Sequence, residues 1–62
     1  MSLSHFDRIR NVRIDIQDLI KVARLLGEFK TVAAGSLYAT LELPVEQRRI
    51  LSKQNIVWSF DD

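Results

Sequence analysis

Apolar residues recur at helical spacing through residues 14–29, IDIQDLIKVARLLGEF. At roughly 100° per residue, Ile16, Leu19, Ile20, Val22, Ala23, Leu25, Leu26 and Phe29 cover an arc of about 220°, wider than the ~100° stripe of an ordinary surface helix. Gln17, Lys21, Arg24 and Glu28 form the narrow polar stripe opposite. Asp15 suits the N-cap, and Asp18 three residues on completes an acidic capping box. Gly27 weakens the last turn, and Lys30 suits a helix C-terminus. The pattern predicts a helix over 15–29. A helix apolar on two sides needs cover on two sides, and small chains are short of core. Ile16, Leu19, Val22, Leu25, Leu26 and Phe29, with Trp58, are therefore expected to form an oligomer interface, a dimer being favoured. In the other reading the rest of the chain wraps the helix.

Upstream, the pattern supports two structures. Ser4 and Asp7 form an S-x-x-D cap, and one helix over 4–29 would place Phe6, Ile9, Ile16, Ile20 and Ala23 on one face. Alternatively, Val12, Ile14 and Ile16 alternate with Arg13 and Asp15, the period of a strand. Downstream, Val32, Leu37, Leu41 and Leu43 stand among small residues, and a short helix over 36–42 with Ser36 as cap is the favoured reading. Pro44 ends it, because the residue before a proline avoids the helical region. Pro44 also fits the first turn of a new helix over 44–54. In the tail, Ile56, Trp58 and Phe60 alternate with Val57 and Ser59, which predicts a short strand. A lone strand is not stable, so it must pair with residues 12–16 or with another subunit.

The chain has 62 residues, which allows one domain, with residues 1–11 as a possible loose arm. It has no cysteine, hence no disulfide framework and no thiolate zinc site. Nine basic residues face eight acidic ones, a net charge of +1, so any preference for nucleic acid must come from how the charge is distributed. His5 is the only histidine, and no nucleophile–base pair, metal cluster or Gly-rich phosphate loop is visible. No enzyme activity, cofactor, metal or small-molecule substrate is expected. The opening residues lack the apolar region of a signal peptide, and no apolar run reaches membrane-spanning length. A cytoplasmic protein is the expectation.

Taken in order, residues 16–60 resemble the helix-turn-helix core of small winged-helix DNA-binding domains. The matching pieces are IDIQDLIKVARLLGEF, KTVAAG, SLYATLE, LP, VEQRRILSKQ and NIVWSF. Glu42 stands where such turns often carry glycine, and Arg48 near where the third helix usually turns an apolar residue inward. The resemblance implies a mainly α fold, a three-helix domain with a short C-terminal strand. It also implies that Glu46, Gln47 and Arg49 would read base edges and that Arg48 and Lys53 would contact phosphates. A second resemblance is to ribbon-helix-helix repressors, in which Asn11, Arg13 and Asp15 would be the outward residues of a DNA-reading strand. Both imply a dimeric, non-enzymatic DNA-binding regulator. The rival expectation is a small protein-interaction module, carried by the wide apolar arc, the near-neutral charge and an aromatic strand able to extend a partner's sheet.

Overall fold

A computed structural model describes residues 9–61; the expected Ser4 cap, Phe6 and His5 lie outside them. Four strands and two helices follow in the order β1 (Arg10–Asp15), α1 (Leu19–Leu26), β2 (Lys30–Ala34), β3 (Tyr38–Leu43), α2 (Val45–Lys53) and β4 (Trp58–Phe60). The strands form one antiparallel sheet in the spatial order β2-β3-β1-β4. This is the split β-α-β arrangement of ferredoxin-like topology. Topology alone carries no function.

The strand reading of residues 12–16 is the one the chain adopts. Val12 and Ile14 are buried while Arg13 and Asp15 are exposed, the two-residue period of a sheet with one covered face. β1 lies centrally, with Val12 opposite Leu41 on one side and Phe60 on the other. The tail strand thus pairs within its own chain.

Asp15 turns the chain out of the sheet. Its Oδ1 accepts the Gln17 amide at 2.8 Å and caps a 3-10 turn, Ile16–Asp18, that leads into α1. The helix is therefore shorter than the expected 15–29: it stops at Gly27, whose φ of 78° is one that glycine adopts freely. Gly27 N–H donates back to Ala23 O at 3.0 Å.

The mainly α, three-helix expectation is overturned in residues 30–43. These form the hairpin β2–β3, in place of a connection and a helix over 36–42. The physical reason is the alternation in β3. Ala39, Leu41 and Leu43 are buried, whereas Tyr38, Thr40 and Glu42 face the other side. One covered sheet face satisfies that pattern, and a helix would scatter it around its circumference. Without a helix here, residues 30–54 do not form the expected helix-turn-helix.

The helix over 44–54 is present as α2, with Pro44 as its N-cap. Its end is a Schellman motif. Asn55 takes a φ of 60°, its amide donates to Ser52 O at 3.2 Å, and the Ile56 amide donates to Leu51 O at 2.9 Å. Ile56 then drops into the core. Both helices cover one face of the sheet: Val22 of α1 and Leu51 of α2 share a single cluster with Val12, Ile14, Ala39, Leu41, Leu43 and Ile56. No element among the described residues covers the opposite face. Among the described residues, no helix is long and apolar enough to cross a membrane.

Candidate interaction surfaces

Three surfaces remain after the core is accounted for: the open sheet face, the outer side of the helices, and the β2 edge. The sequence-predicted residues fall unevenly among them.

On α2, Glu46, Arg49 and Lys53 are exposed, and their spacing of three and four places them together on the outward side. Gln47 is half-buried, and its Nε2 donates to Glu28 O at 2.9 Å, fastening the start of α2 to the end of α1. Arg48 is 4% exposed, so a phosphate-contacting role does not suit it. Its Nη1 donates to Leu43 O at 3.1 Å, and its guanidinium lies 5.3 Å from the centre of the Phe60 ring. Arg10 lies on the same ring at 3.6 Å. Desolvation lowers the pKa of Arg48 from its ordinary value, and the nearby Arg10 charge lowers it further. The position explains the inward turn: Arg48 is three residues from both Val45 and Leu51, on the core-facing side of the helix. Lys21 and Arg24 of α1 are exposed on the same helical layer as Arg49 and Lys53, so four cations face solvent there.

The open face of the sheet has a different balance. Arg13 Nη2 pairs with Asp61 Oδ1 at 3.1 Å, and Lys30 Nζ pairs with Glu42 Oε2 at 3.4 Å. Thr40 Oγ1 donates to the second Asp61 oxygen at 3.2 Å. Arg13 also lies 5.4 Å from the centre of the Tyr38 ring. Among the described residues, Arg13 and Lys30 of this face both have carboxylate partners, which weakens its attraction for phosphate. A depression of about 350 Å³ opens beside these residues, bordered by Arg13, Asp15, Asp18, Tyr38, Trp58 and Ser59. Among the described residues no group of three His, Cys, Asp or Glu side chains is placed to hold a metal ion.

The expected oligomer-interface residues lie mostly within the protomer. Val22 is fully buried, and Ile16, Leu19, Leu26, Phe29 and Trp58 pack against the core. Trp58 Nε1 additionally donates to Ser52 Oγ at 3.0 Å. Of the predicted set only Leu25 is exposed. The wide apolar arc of residues 14–29 is thus covered largely by the chain's own sheet.

Of the apolar residues left outside, Ile20 belongs to the predicted arc but not to the expected interface, and Leu37 and Val32 lie beyond the arc. Ile20 and Leu37 are each 69% exposed and Val32 46%. Leu37 O accepts the Ile16 amide at 3.0 Å, which sets the β2–β3 turn against the entry to α1. Ile20 lies one helical turn beyond Ile16. β2 itself is an edge strand, exposed at all five positions. Its pairing with β3 shifts register between Thr31 and Ala33, leaving Val32 as a bulge. The available sequence signal was the uncharged run TVAAGSL, which spans most of β2 and the turn after it.

No family model, no curated protein and no solved structure matches the chain.

Proposed function

We propose that the protein is a small non-enzymatic interaction module that binds through its β2 edge. One observation carries this reading: β2 is an edge strand exposed at all five positions, without proline or carboxylate. Edge strands usually carry a charge or proline that discourages pairing. The only charge in β2 is Lys30, whose ammonium pairs with Glu42 of the same sheet while 73% of its side chain stays exposed. Thr31, Ala33 and Ala34 are small and leave the backbone accessible. An added strand gains main-chain hydrogen bonds along such an edge, and side-chain pockets beside it give selectivity. Ile20, Leu37 and Val32 supply the apolar surface.

The test is a photo-reactive benzophenone side chain placed at Val32 in the chain expressed in its own host, with Val57 beside the opposite edge as comparison. Defined adducts from position 32 are expected. Adducts from position 57 alone, or none from either, overturn the reading.

A second reading rests on a separate observation, the exposed cations Lys21, Arg24, Arg49 and Lys53 on one helical layer. In it that layer meets the phosphates of DNA. Neutralising about four phosphates gives a slope of about −3.6 in log K against log salt. Fluorescence anisotropy with a generic duplex across a salt series reads this slope. Absence of binding at low salt removes the second reading and leaves the first standing.

A further inference from the structure

We infer that the depression at the end of β1 is a binding site for a small organic cation, an alkylammonium or alkylguanidinium group. The site is independent of the role proposed for β2, none of whose residues border it.

Charge sets the sign of the ligand. Asp15 and Asp18 border the depression, and Arg13 is the one cation among the residues lining it. Arg13 already pairs with Asp61 at 3.1 Å. The depression is therefore locally negative, in a chain whose net charge is +1. A concave surface of one sign focuses its field on the opposite charge, and an anion would meet two carboxylates.

Asp18 is the residue that calls for a partner. It stands at the N-cap of α1, where a carboxylate ordinarily accepts a first-turn amide. Its side chain makes no such bond. It is half-buried, and among the described residues it has no hydrogen bond or ion pair. Asp15, by contrast, commits Oδ1 to the Gln17 amide. A partly desolvated carboxylate bonds a cationic donor more strongly than a neutral one.

The walls set the class of cation. A hard metal ion takes about six to eight oxygens, and no group of three His, Cys, Asp or Glu side chains is placed to hold one among the described residues. Tyr38 and Trp58 border the depression instead. The guanidinium of Arg13 lies 5.4 Å from the centre of the Tyr38 ring, so this ring already receives a cation in the folded chain. The indole N–H of Trp58 is engaged by Ser52 Oγ, which leaves its ring only carbon and π surface to present. Carboxylates beside aromatic rings favour weakly hydrated organic cations. The volume of about 350 Å³ lies at the lower end of ligand sites, about 300–1,000 Å³, so the bound group is small.

Trp58 is the only tryptophan of the chain, and its fluorescence reports on the site directly. The probe is butylguanidinium, titrated at constant ionic strength against butylurea, its uncharged isostere, and butyrate, its opposite in charge. Butylguanidinium should give a saturable change with half-saturation in the millimolar range, as expected for so few atoms, and the other two should give none. Asp18→Asn keeps the shape and removes the charge, and should weaken binding by about fivefold or more. Tyr38→Leu should weaken it as well. Glu28→Gln, an exposed carboxylate beyond the far end of α1, should leave it unchanged. The capped tripeptide N-acetyl-glycyl-arginyl-glycinamide distinguishes the sources of the cation. Tighter binding than butylguanidinium assigns the site to a basic side chain of another protein, and weaker binding assigns it to a free amine or guanidine.

No saturable change with butylguanidinium overturns the inference, as does an equal response to butylurea or butyrate. Undiminished binding by Asp18→Asn also overturns it. If circular dichroism shows that Asp18→Asn does not fold, Tyr38→Leu decides, and undiminished binding by that variant overturns the inference in the same way.

Discussion

The guanidinium of Arg48 donates to the carbonyl of Leu43 at 3.1 Å, joining the last residue of β3 to the first turns of α2 across Pro44. The bond is buried and its donor is charged, which places it among the stronger hydrogen bonds.

Arg48→Ala should therefore destabilise the fold by about 2–3 kcal/mol, from the lost charged hydrogen bond and the lost packing of the side-chain stem. In a domain of this size that lowers Tm by about 10 °C or more. The exposed neighbour gives the contrast: Arg49→Ala should stay within about 0.5 kcal/mol of the unmodified chain. Thermal melts followed by circular dichroism measure both. Equal melting of the two variants would contradict the buried placement of Arg48.

Asn55 offers a backbone test. Its φ of 60° closes the Schellman motif after α2. Asn55→Gly should be neutral or slightly stabilising, since glycine takes this conformation without penalty. Asn55→Val should cost about 1–2 kcal/mol, because a β-branched residue is strained there. Denaturant unfolding of the pair should show midpoints separated in that order, and coincident midpoints would remove the motif.

The pair Trp58–Ser52 links β4 to α2 through a 3.0 Å hydrogen bond. A double-mutant cycle with Trp58→Phe and Ser52→Ala should return a coupling of about 0.5–1 kcal/mol. A coupling near zero would mean that the bond does not persist in solution.

Asp61 accepts from both Arg13 and Thr40 on the open face. The ion pair with Arg13 is partly exposed, with 43% and 34% of the two side chains accessible. Solvent screening then limits its worth to less than about 1 kcal/mol. Asp61→Ala should lower stability by that small amount at low salt, and the difference should shrink as salt rises. A loss that is large and independent of salt would show that Asp61 acts through something other than this exposed pair.

Parts of this architecture were legible from the residues alone. Pro44 and the polar–apolar spacing of residues 45–53 marked α2. The alternation of Ile56, Trp58 and Phe60 marked a strand whose partner is residues 12–14. The hairpin was hidden because residues 30–43 mix Ala and Leu, good helix formers, with one glycine and few charges. The decisive cue was the period of Ala39, Leu41 and Leu43, which a small residue at its first position makes faint. Arg48 was misleading for another reason. Charged residues are rarely buried unless partnered, and the Leu43 carbonyl that receives it becomes visible only once β3 is known to precede α2.

The central position of β1 has a kinetic consequence. Its two partners are β3, in the middle of the chain, and β4, near residue 60. The β2–β3 hairpin needs only its own residues and can form on a microsecond scale, whereas the strand that anchors the sheet must wait for segments far along the chain. Such non-local closure slows folding. Until β4 arrives, the Val12–Ile14 edge stays open to other chains. Synthesis therefore passes through an interval in which the apolar residues of β1 lack one of their covers. In the finished fold β2 is the longer of the two edge strands left open.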